Sequence, residues 1–149
     1  MQPIASDLRL ATDVLYALSV KLRAAQAVFG HTGGLHAAAA FTADGRLLCA
    51  REDVGRHNAV DKLFGWSALT QTPLEATVVL VSGRVAFEIA QKCVLAKIPV
   101  LCAIGAPSSL AVQVAQRYDL TLIGFLRGQT ANVYSAPERI IGVAARAAP

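Results

Sequence analysis

Residues 77–104 read TVVLVSGRVAFEIAQKCVLAKIPVLCAI and contain two apolar segments with an amphipathic segment between them. The apolar segments, 77–81 and 100–104, have the length and composition of β-strands, and residues 85–96 have helical spacing. A strand, a helix and a second strand in this order predict a crossover connection and parallel pairing. Both strands are apolar throughout, which is typical of strands covered by helices on both faces. This unit predicts an α/β fold.

Helical and apolar segments continue to alternate after this unit. Residues 109–118 have helical spacing, and residues 120–125 form another apolar run. No internal repeat or low-complexity segment interrupts the pattern. Residues 1–142 therefore predict a single domain, and residues 143–149 predict a frayed tail.

The first thirty residues predict an amphipathic helix. Residues 7–28 place apolar side chains at three- and four-residue spacing, with Ser6 and Asp7 as candidate caps and Gly30 as the candidate end.

A β-hairpin follows this helix in the sequence. Strands at 35–42 and 46–50 flank the turn signal Asp44-Gly45, and residues 56–69 predict a second helix. The whole pattern predicts a three-layer α/β/α sandwich with a mixed, mainly parallel sheet opened by the hairpin.

Length and composition restrict the class of protein. The chain has 149 residues, of which 54% are hydrophobic and 16% charged, and this excludes disorder and a coiled coil. Its three cysteines are not in Cys-x-x-Cys spacing, which favours a reducing, cytoplasmic setting. No apolar run is long enough to predict a membrane span, and no signal peptide is recognisable.

The net charge of +4 lies entirely in the second half of the chain. Residues 1–75 hold seven basic and seven acidic residues, and residues 76–149 hold seven basic and three acidic residues. The surplus consists of scattered arginines, whereas nonspecific binding to nucleic acid needs a continuous basic stripe. The pattern favours a small anionic ligand over nucleic acid or a membrane.

Polar residues concentrate where the predicted strands end, which is where open α/β sheets bind ligands. The segment 51–62 reads REDVGRHNAVDK, and its ligand-binding candidates are Arg56, His57 and Asn58. A solvated helix start, with Asp53 as its N-cap, is the alternative explanation.

Three further loops follow the same rule. Ser82, Gly83 and Arg84 precede a helix, and Ser108 lies in a similar position, although an ordinary turn and helix capping also explain them. The segment 125–130 contains Phe125, which is suited to stacking on a flat ring, and Arg127, which is suited to an anion. An exposed turn is the alternative. The four loops together predict a nucleotide-like ligand.

The histidines and cysteines have different expected roles. His57 is the best acid/base candidate, while His31 and His36 flank a glycine-containing loop that either approaches a ligand or turns the chain. Cys49, Cys93 and Cys102 lie in apolar runs, so we expect core packing and no nucleophile.

The predicted architecture is similar to the cytidine-deaminase-like fold. Zinc deaminases need His-x-Glu at one helix start and Pro-Cys-x-x-Cys at the next. The corresponding positions here read His57-Asn58-Ala59 and Ser82-Gly83-Arg84-Val85, so neither a zinc site nor deamination is expected.

Several motifs resemble one family closely. These are the segments 32–38 (TGGLHAA), 51–62 (REDVGRHNAVDK), 82–84 (SGR), 106–112 (APSSLAV) and 124–128 (GFLRG). In this order, over about residues 14–140, they resemble the formate dehydrogenase accessory sulfurtransferase family, FdhD/NarQ.

The resemblance implies a cytoplasmic, usually dimeric accessory protein. It would bind the molybdenum bis(molybdopterin guanine dinucleotide) cofactor and pass to it sulfur received from a cysteine desulfurase, which activates formate dehydrogenase. It also implies that the cofactor-holding domain has the deaminase-like fold. The segment matching the family's cofactor-binding residues consists of Phe125, Leu126, Arg127, Gly128, Gln129 and Thr130.

One departure from the family pattern concerns sulfur transfer. The family carries its persulfide on a Cys-x-x-Cys loop in a preceding portion of about a hundred residues, which implies that no residue here is catalytic. We expect either a fragment of a longer protein or a natural short form that keeps cofactor binding. A non-catalytic guanine-nucleotide or molybdopterin chaperone is the alternative function.

Overall fold

A computed structural model describes residues 1–28 and 34–142. The predicted helix end at Gly30, the candidate His31 and the frayed tail lie outside the described residues. The elements in chain order are β1 (Leu10–Ala11), α1 (Thr12–Val28), β2 (His36–Phe41), β3 (Leu47–Asp53), α2 (Arg56–Thr70), β4 (Val78–Val81), α3 (Phe87–Leu95), β5 (Val100–Ala103), α4 (Ser109–Arg117), β6 (Thr121–Arg127), β7 (Thr130–Val133), a 3-10 helix (Pro137–Arg139) and β8 (Ile140–Ile141).

The main sheet has the strand order β3-β2-β4-β5-β6-β7. The pairs β4/β5 and β5/β6 are parallel, and β2 is antiparallel to both β3 and β4. Consequently β3, β4, β5 and β6 run in one direction, while β2 and β7 run in the other. The predicted α/β fold, with a mixed sheet opened by a hairpin, is confirmed.

Helices cover both faces of this sheet because its central strands are apolar on both sides. On one face α1 packs with Leu15, Leu18 and Leu22. The sheet residues buried on that face include Ala37, Ala39, Phe41, Ala50, Val78, Leu80, Val100 and Cys102. On the other face, helices α2, α3 and α4 cover Ala38, Ala40, Cys49, Val79, Val81, Leu101 and Ala103. This arrangement is the predicted three-layer sandwich. No helix in the described ranges is long and apolar enough to cross a membrane.

The first helix begins later than its amphipathic pattern predicts. The prediction placed its start at residue 7, but α1 begins at Thr12. The preceding Leu10 and Ala11 pair in parallel with Ile140 and Ile141 of β8. This distant pairing gives the backbone of Leu10 and Ala11 hydrogen-bond partners outside a helix, so these two residues form a strand and not a helical turn.

The end of the sheet also differs from the prediction. The last strand was predicted to end at residue 125, but β6 continues to Arg127 and turns back into the antiparallel edge strand β7. Gly128 has φ +55° and supplies the left-handed conformation that this tight turn requires. The segment 125–130 is therefore a hairpin end and not an open loop.

Candidate functional site

Four strands of the sheet end at one edge. Because β3, β4, β5 and β6 share a direction, their carboxyl ends at Asp53, Val81, Ala103 and Arg127 lie on the same side of the domain. The antiparallel strand β2 begins there, since His36 pairs with Asp53. The four segments predicted as ligand-binding therefore meet at this edge.

The segments at this edge are hydrogen-bonded to one another. Ala37 and Ser82 exchange two bonds, in which Ser82 N–H donates to the Ala37 carbonyl at 2.9 Å and Ala37 N–H donates to Ser82 Oγ at 2.8 Å. Gly105 N–H donates to the Gly83 carbonyl at 3.2 Å, and Phe125 N–H donates to the Gly105 carbonyl at 3.1 Å. The edge is thus a connected backbone platform.

A cleft of about 230 Å³ lies between α1 and this platform. The sheet side contributes Ser82, Ile104, Leu126, Arg127 and Gly128. The helix side contributes Ser19, Leu22, Arg23 and Gln26. The cleft therefore brings together four residues predicted from the sequence and adds a wall from α1.

The residues of α1 were missed by the sequence analysis. Ser19, Leu22, Arg23 and Gln26 recur at three- and four-residue spacing, so they form one stripe of the helix. Ser19 is only 5% exposed, and its hydroxyl has no hydrogen-bond partner among the described residues. A serine inside a leucine-rich stripe was the available signal, because a buried hydroxyl without a partner is unfavourable unless something else satisfies it.

The predicted residues of segment 51–62 lie at the same end of the strands but on the face of the sheet opposite to α1. Gly83 faces them, because a Cβ on Gly83 would lie 3.0 Å from His36 Nδ1 and 3.5 Å from Arg56 Cβ. His57 is half-buried and Asn58 is exposed. Neither His57, Asn58, Arg56 nor Arg84 lines the cleft beside α1. The structure thus divides the predicted site into two parts, one on each side of the strand ends.

Asp53 stabilises the approach to α2 without capping it. The N-cap is Gly55, which has no side-chain cap, so the alternative with Asp53 as N-cap is wrong. Asp53 Oδ2 instead accepts a hydrogen bond from Gly55 N–H at 2.8 Å, and Oδ1 pairs with Lys62 Nζ at 2.9 Å. These contacts lower the pKa of Asp53 to about 2. Its carboxylate therefore has a local structural role.

Phe125 occupies an unusual position at the end of β6. Its φ is +53°, in the left-handed region that bulky residues rarely adopt, and its side chain is 46% exposed. It lies where the β6/β7 register shifts between Gly124 and Arg127. The bulge therefore presents an aromatic ring at the surface beside the cleft residues Leu126 and Arg127.

Two other predicted residues make local contacts. Ser108 is the N-cap of α4, and its Oγ accepts from Ala111 N–H at 3.1 Å, so the capping explanation holds. Thr130 Oγ1 donates to the Arg127 carbonyl at 2.9 Å, which closes the turn that contains Gln129.

The cysteines are buried in the core, as predicted. Cys49, Cys93 and Cys102 are free thiols with little or no exposure. Burial raises the pKa of Cys93 to about 12 and raises that of Cys102 further. None of these thiols lines the cleft. Within the described residues, no group of three His, Cys, Asp or Glu side chains is placed to hold a metal ion.

Comparisons with known proteins give a consistent result. A model of the FdhD/NarQ family matches residues 1–141. The sulfur carrier protein FdhD of Mycolicibacterium paratuberculosis is 56% identical over 139 residues, which are 93% of this chain and 51% of that protein. Its counterpart from Saccharolobus solfataricus is 48% identical over 136 residues, covering 91% of this chain and 53% of that protein. The chain thus spans about half the length of the curated relatives it matches.

A solved structure is similar over nearly the whole chain. It is described as a formate dehydrogenase accessory protein from Desulfotalea psychrophila and superposes with a TM-score of 0.84 at 32% identity. The match covers 93% of this chain and 62% of that one.

Proposed function

Because this chain belongs to the FdhD/NarQ family, we propose that it is the cofactor-binding part of a sulfurtransferase that matures formate dehydrogenase. Its substrate is the molybdenum bis(molybdopterin guanine dinucleotide) cofactor. The relatives' description as sulfur carrier proteins, and the accessory-protein description of the similar structure, support this role. A cysteine desulfurase, formate dehydrogenase and a second copy of the chain are the proposed partners, in the cytoplasm.

The observation that carries this proposal is the cleft between α1 and the strand ends. Its volume of about 230 Å³ is below the roughly 300–1,000 Å³ typical of a site that encloses a whole ligand. It therefore suits one ring system of a larger molecule. Leu22, Ile104 and Leu126 supply apolar contacts, and Ser19 and Ser82 supply hydroxyl groups.

The charges around the cleft suit the phosphates of such a ligand. Arg23 and Arg127 are exposed at opposite walls, one on α1 and one at the end of β6. A guanidinium group binds phosphate through two parallel hydrogen bonds. Arg84, exposed in the loop after β4, is a further cation at the same edge of the sheet, and the Phe125 ring is available for stacking.

A second candidate function is a binding module without sulfur chemistry of its own. It is favoured by the burial of the three thiols, because a persulfide carrier needs an accessible thiolate. In this case the chain would hold a guanine nucleotide or molybdopterin as a chaperone.

Calorimetric titration of the chain with GDP, beside CDP, tests the proposal. Selective binding of GDP is expected, and a chain that binds neither GDP nor neopterin would contradict both candidate functions. The two candidates differ in whether a Cys-x-x-Cys segment belongs to the same gene product, which reading the coding sequence upstream of Met1 decides. A Cys-x-x-Cys segment in that upstream sequence supports the sulfurtransferase function, and GDP binding by a gene product without such a segment supports the binding module.

A further inference from the structure

A polar pair formed by the cleft residue Gln26 and by Glu52 of β3 has no role in the contacts described so far. Gln26 Nε2, on the cleft side of α1, donates to Glu52 Oε2 of β3 at 3.3 Å. The other carboxylate oxygen of Glu52, Oε1, is buried and has no hydrogen-bond partner among the described residues. The pair is thus incompletely satisfied, at a position where leaving a charged group unpaired is unfavourable.

The register of the sheet places Glu52 beside the cleft. Glu52 follows Ala50 by two residues on β3, and Ala50 faces α1, so Glu52 points to the same side. It is paired with Ala37, whose N–H donates to the cleft residue Ser82. In the sheet, Ala37 therefore lies between Glu52 and Ser82, and Glu52 contacts the wall of the cleft through Gln26.

The two side chains have complementary chemistry. A carboxylate only accepts hydrogen bonds, whereas the amide nitrogen of Gln26 donates them. A ring edge that carries two N–H donors next to a carbonyl oxygen matches this pair, with the donors facing Glu52 and the oxygen facing Gln26. Such an edge is the 2-amino-4-oxopyrimidine unit, which guanine and the pterin ring share. Adenine presents a ring nitrogen acceptor where this edge has a donor.

From this juxtaposition we infer that Gln26 and Glu52 recognise the 2-amino-4-oxopyrimidine edge of the ring that enters the cleft. The inference rests on the proposed function and adds the residues that determine its specificity. Glu52 does not itself line the cleft and its Oε1 is out of contact with solvent, so this recognition requires the ligand to displace the Gln26–Glu52 contact as it enters. A single hydrogen bond of 3.3 Å is slightly longer than the usual N–H···O range and opens readily.

Titration with GDP, IDP and ADP tests the recognition by Glu52. IDP lacks the 2-amino group, and ADP lacks the whole edge. The wild-type chain should prefer GDP over IDP by roughly tenfold and bind ADP more weakly still. Glu52→Gln should lower GDP affinity roughly tenfold or more and remove the preference over IDP, because its amide group presents donors to the donors of the ring. Glu75→Gln, at an exposed residue away from the cleft, is the matched control and should change neither quantity.

Gln26→Leu is the second variant and tests the opposite half of the edge. It should weaken GDP and IDP equally, since both carry the oxo group, and leave their ratio unchanged. This variant keeps the inference testable if Glu52→Gln fails to fold, which circular dichroism would show.

Neopterin is the probe that separates the two possible rings. If Glu52→Gln weakens GDP alone, the cleft takes guanine, and if it weakens neopterin alone, the cleft takes the pterin. Either result supports recognition of the shared edge. Unchanged GDP/IDP preference and unchanged neopterin affinity in a folded Glu52→Gln chain would overturn the inference while leaving GDP binding, and hence the proposed function, intact. A wild-type chain that binds neither GDP nor neopterin would overturn both.

Discussion

The carbonyl oxygen of Gly83 and the α-carbon of Gly105 lie so close that a Cβ on Gly105 would be 2.9 Å from that oxygen. Real Cβ atoms do not approach an oxygen so closely, and the neighbouring atoms here are backbone, which cannot rotate away. The contact joins the loop after β4 to the loop after β5. It consequently fixes both Ser82 in the cleft and Phe125, whose N–H donates to Gly105.

Gly105→Ala should therefore destabilise the fold by about 1–3 kcal/mol and weaken GDP binding, because the two loops must separate. Urea denaturation and calorimetry measure the two effects. Gly65→Ala is the control, since Gly65 lies in α2 with open space around it, and alanine there should stabilise by up to about 1 kcal/mol. A Gly105→Ala chain as stable as wild type would show that the loops move apart without cost.

Arg127→Ala should lower GDP affinity roughly tenfold or more while leaving stability within about 0.5 kcal/mol of wild type, because the side chain is exposed and lines the cleft. The affinity lost should shrink as salt concentration rises, since salt screens exposed charges. Arg46→Ala, in the turn between β2 and β3 at the opposite edge, should bind GDP like wild type. Equal affinities for the two variants would remove Arg127 from the site.

Arg139→Met should destabilise the domain by about 1–3 kcal/mol or more, because buried carbonyl groups that accept from the guanidinium lose their donor. Arg139 is 2% exposed, and its nitrogens donate to the carbonyls of Asp119 at 2.5 Å and Ile4 at 3.1 Å, and to Thr121 Oγ1 at 3.1 Å. Thermal or urea unfolding measures the change, with exposed Arg46→Met as the control. A loss no larger than that of the control would mean that these carbonyls find other partners.

Cys93 and Cys102 should not react with a thiol reagent in the folded chain at pH 8. Burial holds the pKa of Cys93 at about 12, so only about one part in ten thousand is thiolate at that pH. A Cys49→Ala background limits the signal to these two thiols. Labelling should begin only as urea unfolds the chain, and complete labelling within minutes in native buffer would contradict their burial.

The buried Cys93 thiol also makes the stability of the fold depend on pH in the alkaline range. The ordinary pKa of a cysteine here is 9.0, and the folded value for Cys93 is about 12, so above pH 9 the unfolded chain releases a proton that the folded chain keeps. The contribution of this thiol to the free energy of unfolding is therefore fully present below pH 9. It declines as pH rises toward 12, by at most about 1.4 kcal/mol per pH unit. Denaturant unfolding of wild type and Cys93→Ala across this range measures it, and the variant should lose stability less steeply. Parallel curves would contradict the linkage.

Local signals in the sequence were sufficient for most elements of the fold. Asp44-Gly45 marked the turn between β2 and β3, and Gly45 indeed has φ +89°. The helix predicted at 56–69 is α2, whose bounds are Arg56–Thr70. These features depend on neighbouring residues, and the carboxyl-edge rule for parallel strands then places Ser82 and Arg127 on one side of the domain.

Features that depend on distant residues were not predictable in the same way. The pairing of Leu10 with Ile140 joins segments 130 residues apart. Likewise, α1 forms one wall of the cleft only because it packs over the strand ends, so Gln26 has no local sequence signature and Ser19 is marked only by its place in a leucine-rich stripe. The helix predicted at 85–96 begins instead at Phe87, since Val85 forms a bridge with Pro107.

The left-handed backbone of Phe125 sets the stability of the fold against the proposed stacking role of its side chain. A bulky side chain in that conformation costs of order 1–3 kcal/mol, which a glycine would avoid. Mutations selected for thermostability alone would therefore be expected to collect at position 125. An engineer who accepted them would obtain a more stable domain that lacks the exposed aromatic ring. With the stacking role proposed for Phe125, a gain in stability at this position and retention of the ligand become competing objectives.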